Sequence, residues 1–451
     1  MRALLDKIKS YIKEEKQLSI NVGGAFVIKG LSLILSTFSL PLYIKYFDND
    51  TTLGVWYTIL SILTWINMCD LGLGNGLRNK LTESLAKKDY NLAQSLVSST
   101  YILLSIIIIP ICVVLLSVTS FVDFNSVLNI SSDIVSAVTL QRSIKVLIVG
   151  VAVNFVLKTI NSILYAMQLS SVNNVISLFV SAIPLIFIAV YKTTSVDNDL
   201  IVLSYCHAFS INIPLVITSL IVFFNRKLSF MRPKIASVDV RVAKSTLNLG
   251  MSFFVAQIFF MFLFSTNEVF ISKLYSPENV VEYNIYYRLF MIIGSIFMVG
   301  LTPVWSKVTK DIAENRLEKI KTINKILLFV SELAVFANII LVIFLQFVIN
   351  IWLRDRAFSV NYFTAVIFAF LGSIYIFNIV LTTIANGIGN LKTQICFYGI
   401  GAILKIPVCY LLESIGVGWQ GIIAYNSIVL AAFCAFQYIW INNYLDELSV
   451  I

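Results

Sequence analysis

The chain has 451 residues, of which 58% are hydrophobic and only 13% charged, with a mean hydropathy of +0.88 and a formal net charge of +9. So little polar surface cannot cover a water-soluble globule of this size, which excludes a soluble enzyme or binding module and leaves lipid as the main solvent. The positive balance reads as topology and contact with anionic headgroups, and it calls for no nucleic-acid partner.

Lipid cannot satisfy backbone groups, so only helices or closed barrels span it, and the apolar runs here are continuous rather than alternating with period two. Runs of bilayer-crossing length fall near residues 18–44, 53–76, 92–119, 143–167, 172–191 and 199–224 in the first half. The second half continues with 247–272, 282–303, 323–351, 361–386, 392–412 and 419–442. The expected fold class is therefore an all-α membrane protein of about twelve transmembrane helices. The first run follows a charged stretch (Lys7, Lys9, Lys13, Glu14, Glu15, Lys16) and lacks a small-residue cleavage site, so it is expected to stay as a span rather than be removed as a signal peptide.

Cytoplasmic loops retain Lys and Arg, and placing the N-terminus inside divides the loop cations 22 to 6. Both termini are then cytoplasmic. Trp56, Trp352 and Trp419 fall at expected outer ends, and Trp305 and Trp440 at inner ends, as headgroup-level indoles would, while Trp65 does not fit. The six cysteines lie within spans and read as small apolar packing residues, so neither a disulfide framework nor a metal site is expected.

An offset of 227 residues aligns the halves without a gap: Ile20-Asn21-Val22-Gly23 falls on Leu247-Asn248-Leu249-Gly250. The similarity lies mainly in matched hydropathy. It implies two similarly oriented six-helix lobes, residues 1–224 and 247–451, joined by a cytoplasmic segment 225–246 with six basic residues, Asp239 and Pro233.

The chain holds no Gly-x-x-x-x-Gly-Lys-Ser/Thr loop to cradle nucleotide phosphates, and its single histidine, His207, excludes a His-Glu-x-x-His zinc site. No cofactor is expected. Gly72-Leu73-Gly74-Asn75-Gly76 closes a span and has no βαβ context, so its glycines read as a close-packing and helix-ending device.

Ionisable residues deep in spans carry the functional signal, because an uncompensated charge in hydrocarbon costs roughly 2.5 kcal/mol or more. They lean basic: Lys29, Lys158, Arg288 and Lys405, with Lys145 near enough to an end to snorkel. The acids at comparable depth are Glu268 and Glu332, with Asp70 nearer the inner interface. Each deep cation reads equally as a cavity-lining group or a structural one, and Lys29 with Glu332 lie at depths that allow a pair. Tyr283, Tyr286 and Tyr287 share a helix face with Phe290 beside Arg288, which suits either a sugar-stacking cavity or an aromatic belt. Asn154, Asn161, Asn173, Asn174, Asn212, Asn338, Asn378 and Asn386 add amides for interhelical bonds or hydroxyl-rich cargo.

Three segments carry a family resemblance: Gly54-Val55-Trp56-Tyr57 leading into Asp70-Leu71-Gly72-Leu73-Gly74-Asn75-Gly76-Leu77-Arg78-Asn79, Val280 to Phe290 running on to Pro303-Val304-Trp305, and Ala385-Asn386-Gly387-Ile388-Gly389-Asn390-Leu391-Lys392-Thr393-Gln394. Over essentially its whole length the chain resembles the O-antigen flippases (Wzx type) of the multidrug/oligosaccharidyl-lipid/polysaccharide (MOP) exporter superfamily. The resemblance implies a V-shaped, MATE-like bundle in the bacterial inner membrane, with a cationic cavity that moves an undecaprenyl-pyrophosphate-linked oligosaccharide to the periplasmic leaflet. It also implies a polysaccharide polymerase and a chain-length regulator as partners, besides membrane lipid. The substrate-cavity candidates are Lys29, Lys158, Arg288, Lys405, Glu268, Glu332, Tyr283 and Tyr287. Two other classes stand beside this reading. A multidrug and toxin extrusion antiporter would want an acidic cavity, and a membrane glycosyltransferase or polymerase would want a larger outer loop than residues 120–142. The coupling ion is left open between H+ and Na+.

Overall fold

The computed structural model describes residues 16–450 except 48–49, 69–71, 128–131, 133–134, 192–194 and 354–357, and except for some side chains inside the first two helices and those of Pro277, Ser449 and Val450. Asp70, Leu71, Cys69 and the charged stretch Lys7–Glu15 lie outside the described residues, as do the side chains of Lys29 and Trp65. Among the described residues there is no strand.

The helices are α1 (Lys16–Phe47), α2 (Asp50–Met68), α3 (Leu73–Ala86), α4 (Tyr90–Thr119), α5 (Phe124–Val127), α6 (Ala137–Leu157), α7 (Thr159–Ala166), α8 (Ser170–Val190) and α9 (Val196–Phe224). They continue as α10 (Val240–Ser265), α11 (Asn267–Leu274), α12 (Pro277–Ala313), α13 (Leu317–Leu353), α14 (Tyr362–Ile388), α15 (Lys392–Ser414) and α16 (Gln420–Val450). Ten helical stretches are long and apolar enough to cross a bilayer, α6–α7 and α10–α11 each counting as one, and they match the third to twelfth expected spans one for one. The second expected span, 53–76, differs: its helix ends at Met68, and α3 starts afresh behind Gly72, whose φ of +62° only glycine adopts without strain.

Where the spans begin is set by local chemistry. Asp89 accepts from the Leu92 amide at 2.9 Å, and Asn361 accepts from the amides of Phe363 and Thr364 at 3.0 and 3.2 Å. Ser136 and Ser195 act alike at α6 and α9. Each such cap satisfies amides that no upstream turn can reach, worth about 1 kcal/mol apiece.

The chain divides into two compact units, one of residues Gly23–Met251 and the other containing Ser252–Ile451. In the first, α6 packs on α9 and α4, α9 on α8, and α3 on both α7 and α4. In the second, α14 packs on α12, α13 and α16, α16 on α15, and α12 on α13. Counted in spans, with α6–α7 and α10–α11 each taken as one, the fourth span of each unit packs on its second, third and sixth.

Segment 225–246 belongs to the first unit and is docked on it. The amides of Lys234 and Asp239 donate to the hydroxyls of Ser98 and Ser99, both at 3.0 Å, and Met231 is fully buried. All six of its basic side chains stay exposed.

Candidate functional site

Two polar centres stand out, one in each unit. In the first unit the break between α6 and α7 falls at Lys158, where the helical turn is interrupted before Thr159 restarts it. The break places Lys158 on the wall of a cavity of about 240 Å³, with its ammonium 5.3 Å from the centre of the Phe155 ring. Asn75 from α3 and Thr159, Asn161, Ser162 and Tyr165 from α7 complete the polar lining. Asn161 Oδ1 is buried there without a hydrogen-bond donor, while its backbone carbonyl accepts from Asn173 at 3.0 Å. A cation, two amides, two hydroxyls and a phenol around an accessible space make a surface that can bind an oxyanion or a polyhydroxylated group.

Gly74 and Gly76 let α3 come this close. A Cβ on Gly74 would lie 2.8 Å from Ser162 Oγ, and one on Gly76 would lie 2.6 Å from the Thr246 carbonyl. The glycine run is thus a packing device at the edge of the cavity. Beside it, Arg78 departs from expectation. Its position after a span suggests a loop cation, yet it is 4% exposed on α3, with its guanidinium 4.4 Å from the centre of the Tyr165 ring.

In the second unit Lys405 of α15 is 0% exposed. Its Nζ donates to the Leu263 carbonyl at 2.5 Å, Thr266 Oγ1 at 2.9 Å and Asn267 Oδ1 at 2.6 Å. Asn426 Nδ2 donates to the same Leu263 carbonyl and to Asn267 Oδ1, and Asn267 passes its own Nδ2 hydrogen to the Tyr283 hydroxyl at 3.1 Å. Lys405 is therefore enclosed by neutral oxygens and lines none of the cavities described.

The structure separates the remaining candidates. Tyr283 is buried among Tyr287, Phe368 and Trp419, and Tyr286 and Phe290 are fully buried against Phe368. The shared face is packed inward, so Tyr283, Tyr286 and Phe290 present no ring face to cargo or to lipid. Tyr287 is partly buried on the same cluster, and Arg288, one residue on, is exposed. Glu268 is exposed in an open groove with Val269, Ser272, Lys273 and Val280, and Glu332 is exposed on α13. Lys29 lies on α1, with its side chain outside the described residues. Lys145 reaches back to Ser120 Oγ at 3.0 Å, the behaviour of a side chain near a helix end.

Trp56 and Trp419, placed by sequence at the headgroup level, are closed inside their units: Trp56 is 0% exposed with His207 edge-on at 5.9 Å, and Trp419 packs on Phe368. Many of the amides act as interhelical bonds, Asn154 to the Ile211 carbonyl at 2.8 Å and Asn378 to the Tyr398 hydroxyl at 2.6 Å.

Sequence reasoning passed over a buried ion pair. Lys307 reads as a loop cation, but it meets Asp311 at 2.8 Å with both side chains almost fully enclosed. The available signal was the opposite charges four residues apart on what is one continuous helix, α12.

No family model matches the chain, and no curated protein matches it by sequence. Its fold is nevertheless that of solved transporters. It superposes on a MATE protein in the straight conformation with a TM-score of 0.75, 13% identity and 97% of each chain covered. A multidrug resistance MATE family transporter of the MOP superfamily, in an outward-facing conformation, gives 0.74, 12% and 96% of each chain. A MOP superfamily transporter from Pyrococcus furiosus, described as having a binding pocket of reverse polarity that suggests a different function, gives 0.73, 14% and 96% of each chain. The chain has the MATE-like fold.

Proposed function

We propose that this protein is a membrane transporter that flips a lipid-linked oligosaccharide, carrying an undecaprenyl-pyrophosphate-linked repeat unit from the cytoplasmic to the periplasmic leaflet by alternating access. The observation that carries the reading is the Lys158 cavity, where a cation, amides and hydroxyl groups line a space inside one helical unit. A pyrophosphate brings negative charge and a sugar brings hydroxyls, and Lys158 with Asn75, Asn161, Ser162 and Tyr165 offers partners for both, while a polyprenyl tail can stay in lipid. Both termini and segment 225–246 then face the cytoplasm of a bacterial inner membrane, where a polysaccharide polymerase and a chain-length regulator are the expected partners.

Fold similarity at 12–14% identity also favours a second reading, a MATE-type cation antiporter. Cationic drugs want acids in the binding space. Here Glu268 and Glu332 are apart on α11 and α13, and among the described residues no three His, Cys, Asp or Glu side chains cluster. One neighbour of the same fold is itself described as having a binding pocket of reverse polarity.

The test is deletion of the gene followed by analysis of lipid-linked intermediates, with single repeat units expected to accumulate on the cytoplasmic leaflet. Complementation with Lys158→Ala should leave surface polysaccharide strongly reduced at unchanged protein level, and Lys158→Arg should restore part of it. Normal polysaccharide in the deletion strain would remove the flippase reading. Normal export by the Lys158→Ala variant would remove the cationic-cavity assignment.

A further inference from the structure

The enclosure of Lys405 raises a question that packing alone does not answer. A buried ammonium held only by neutral groups is costly, and a methionine of similar volume would fill the space without that cost. Among the described residues no carboxylate pairs with Lys405. What surrounds it is a set of oxygens: a backbone carbonyl, a hydroxyl and a side-chain amide oxygen at 2.5–2.9 Å.

The set arises from a break in a membrane helix. α10 ends at Ser265 and α11 begins at Asn267, with Thr266 between them. At the break Thr266 Oγ1 donates to the Phe262 carbonyl at 2.6 Å, which leaves the hydroxyl lone pairs for Lys405. The Leu263 carbonyl points at the ammonium, and Asn426 braces it from α16. Carbonyls freed at a broken helix, joined by neutral side-chain oxygens, are the arrangement in which membrane proteins strip and hold an alkali cation. Asn426 adds a reserve. Its Oδ1 is buried without a donor, and half a turn of the amide would exchange that oxygen for the Nδ2 now facing Leu263 and Asn267.

We propose that the Leu263 carbonyl, Thr266 Oγ1 and Asn267 Oδ1 form a monovalent-cation site within the second helical unit, which Lys405 fills with its own ammonium in place of a free sodium ion. The tethered ammonium occupies the site itself, so this unit holds its broken helix together without drawing on external sodium. Removing the ammonium opens the site to Na+. The inference concerns the helical break alone and holds whatever cargo the protein moves.

The experiment follows the thermal unfolding of purified, detergent-solubilised protein in NaCl, KCl and choline chloride at equal ionic strength. The natural protein is expected to unfold at the same temperature in all three. Lys405→Ala should unfold lower in choline and recover by several degrees, saturably, as Na+ is added, since an ion that binds only the folded state stabilises it. Adding Asn267→Leu should abolish that recovery. A folded Lys405→Ala protein indifferent to the cation overturns the proposal, as does a sodium dependence already present in the natural protein. Should Lys405→Ala not be recovered, Lys405→Gln carries the same comparison. If neither is recovered even when produced and extracted in NaCl, the proposal falls, because sodium would have restored the missing charge.

Discussion

Gly76 and Gly250 meet backbone to backbone: a Cβ on Gly76 would lie 2.9 Å from the Gly250 amide nitrogen, and a Cβ on Gly250 would lie 3.0 Å from Leu73 Cα. Neither contact has a flexible side chain to give way. The pair holds the start of α3 against α10, so the glycine run and the Asn-Leu-Gly250 repeat serve one joint. Gly387 plays a comparable part in the other unit, where a Cβ would lie 2.7 Å from Val308 and 2.9 Å from the Trp305 carbonyl.

Gly76→Ala is therefore expected to destabilise by about 1–3 kcal/mol, the usual cost of overpacking against backbone. Gly54→Ala, with nothing within 4 Å of the added carbon, should be neutral or slightly stabilising. Thermal unfolding in one detergent compares the two, and equal melting temperatures would remove the close-approach argument.

The enclosed Lys307 and Asp311 pair predicts an asymmetry. Asp311→Ala alone leaves a buried ammonium and should cost about 3–5 kcal/mol, whereas Lys307→Met with Asp311→Leu should recover most of it. Both variants are read by the fraction of protein surviving heating before detergent extraction. A double variant as unstable as the single one would show that the pair contributes net stability.

Tyr286 joins α12 to the start of α14, its hydroxyl accepting from the Asn361 amide at 3.0 Å. Tyr286→Phe keeps the ring against Phe368 and removes only the hydroxyl, which accepts from the Asn361 amide and donates to its carbonyl at 3.4 Å, so a loss of about 1 kcal/mol is expected. Asn361→Ala should cost a similar amount through the cap of α14. The two losses should fall short of additive in the double variant, because both act on one helix start.

Asp239 predicts a pH dependence. The amides of Arg241 and Val242 donate to its carboxylate and hold its pKa below the ordinary aspartate value. A depressed folded pKa means that the carboxylate binds its proton less readily in the folded chain. Its contribution is thus fully present above about pH 4 and fades as the pH falls through and below that value. Asp239→Asn should flatten the acid limb of the melting-temperature profile, and an unchanged profile would show that this carboxylate has no part in it.

Much of the fold is legible in the sequence. The third to twelfth spans stand where continuous apolar runs place them. The second span shows where reading ends. Hydropathy runs on through residue 76, but the backbone turns at Gly72, and apolar character says nothing of a positive φ. Of the site, Lys158 was legible as a deep cation, while its neighbour Asn75 comes from α3, which only the packing brings to it.

What the sequence alone determined is that this chain must be a set of membrane helices with charged residues at unusual depth, because hydrocarbon leaves the backbone no other partner than itself. Depth is a coordinate along one helix, and residue number measures it. Enclosure is an angle about the helix axis, and on helices apolar nearly all round no stripe reveals which side turns inward. Only the tertiary structure decided that Lys405, Lys307 and Arg78 are enclosed while Arg288, Glu268 and Glu332 are exposed, because that depends on which neighbour covers each face.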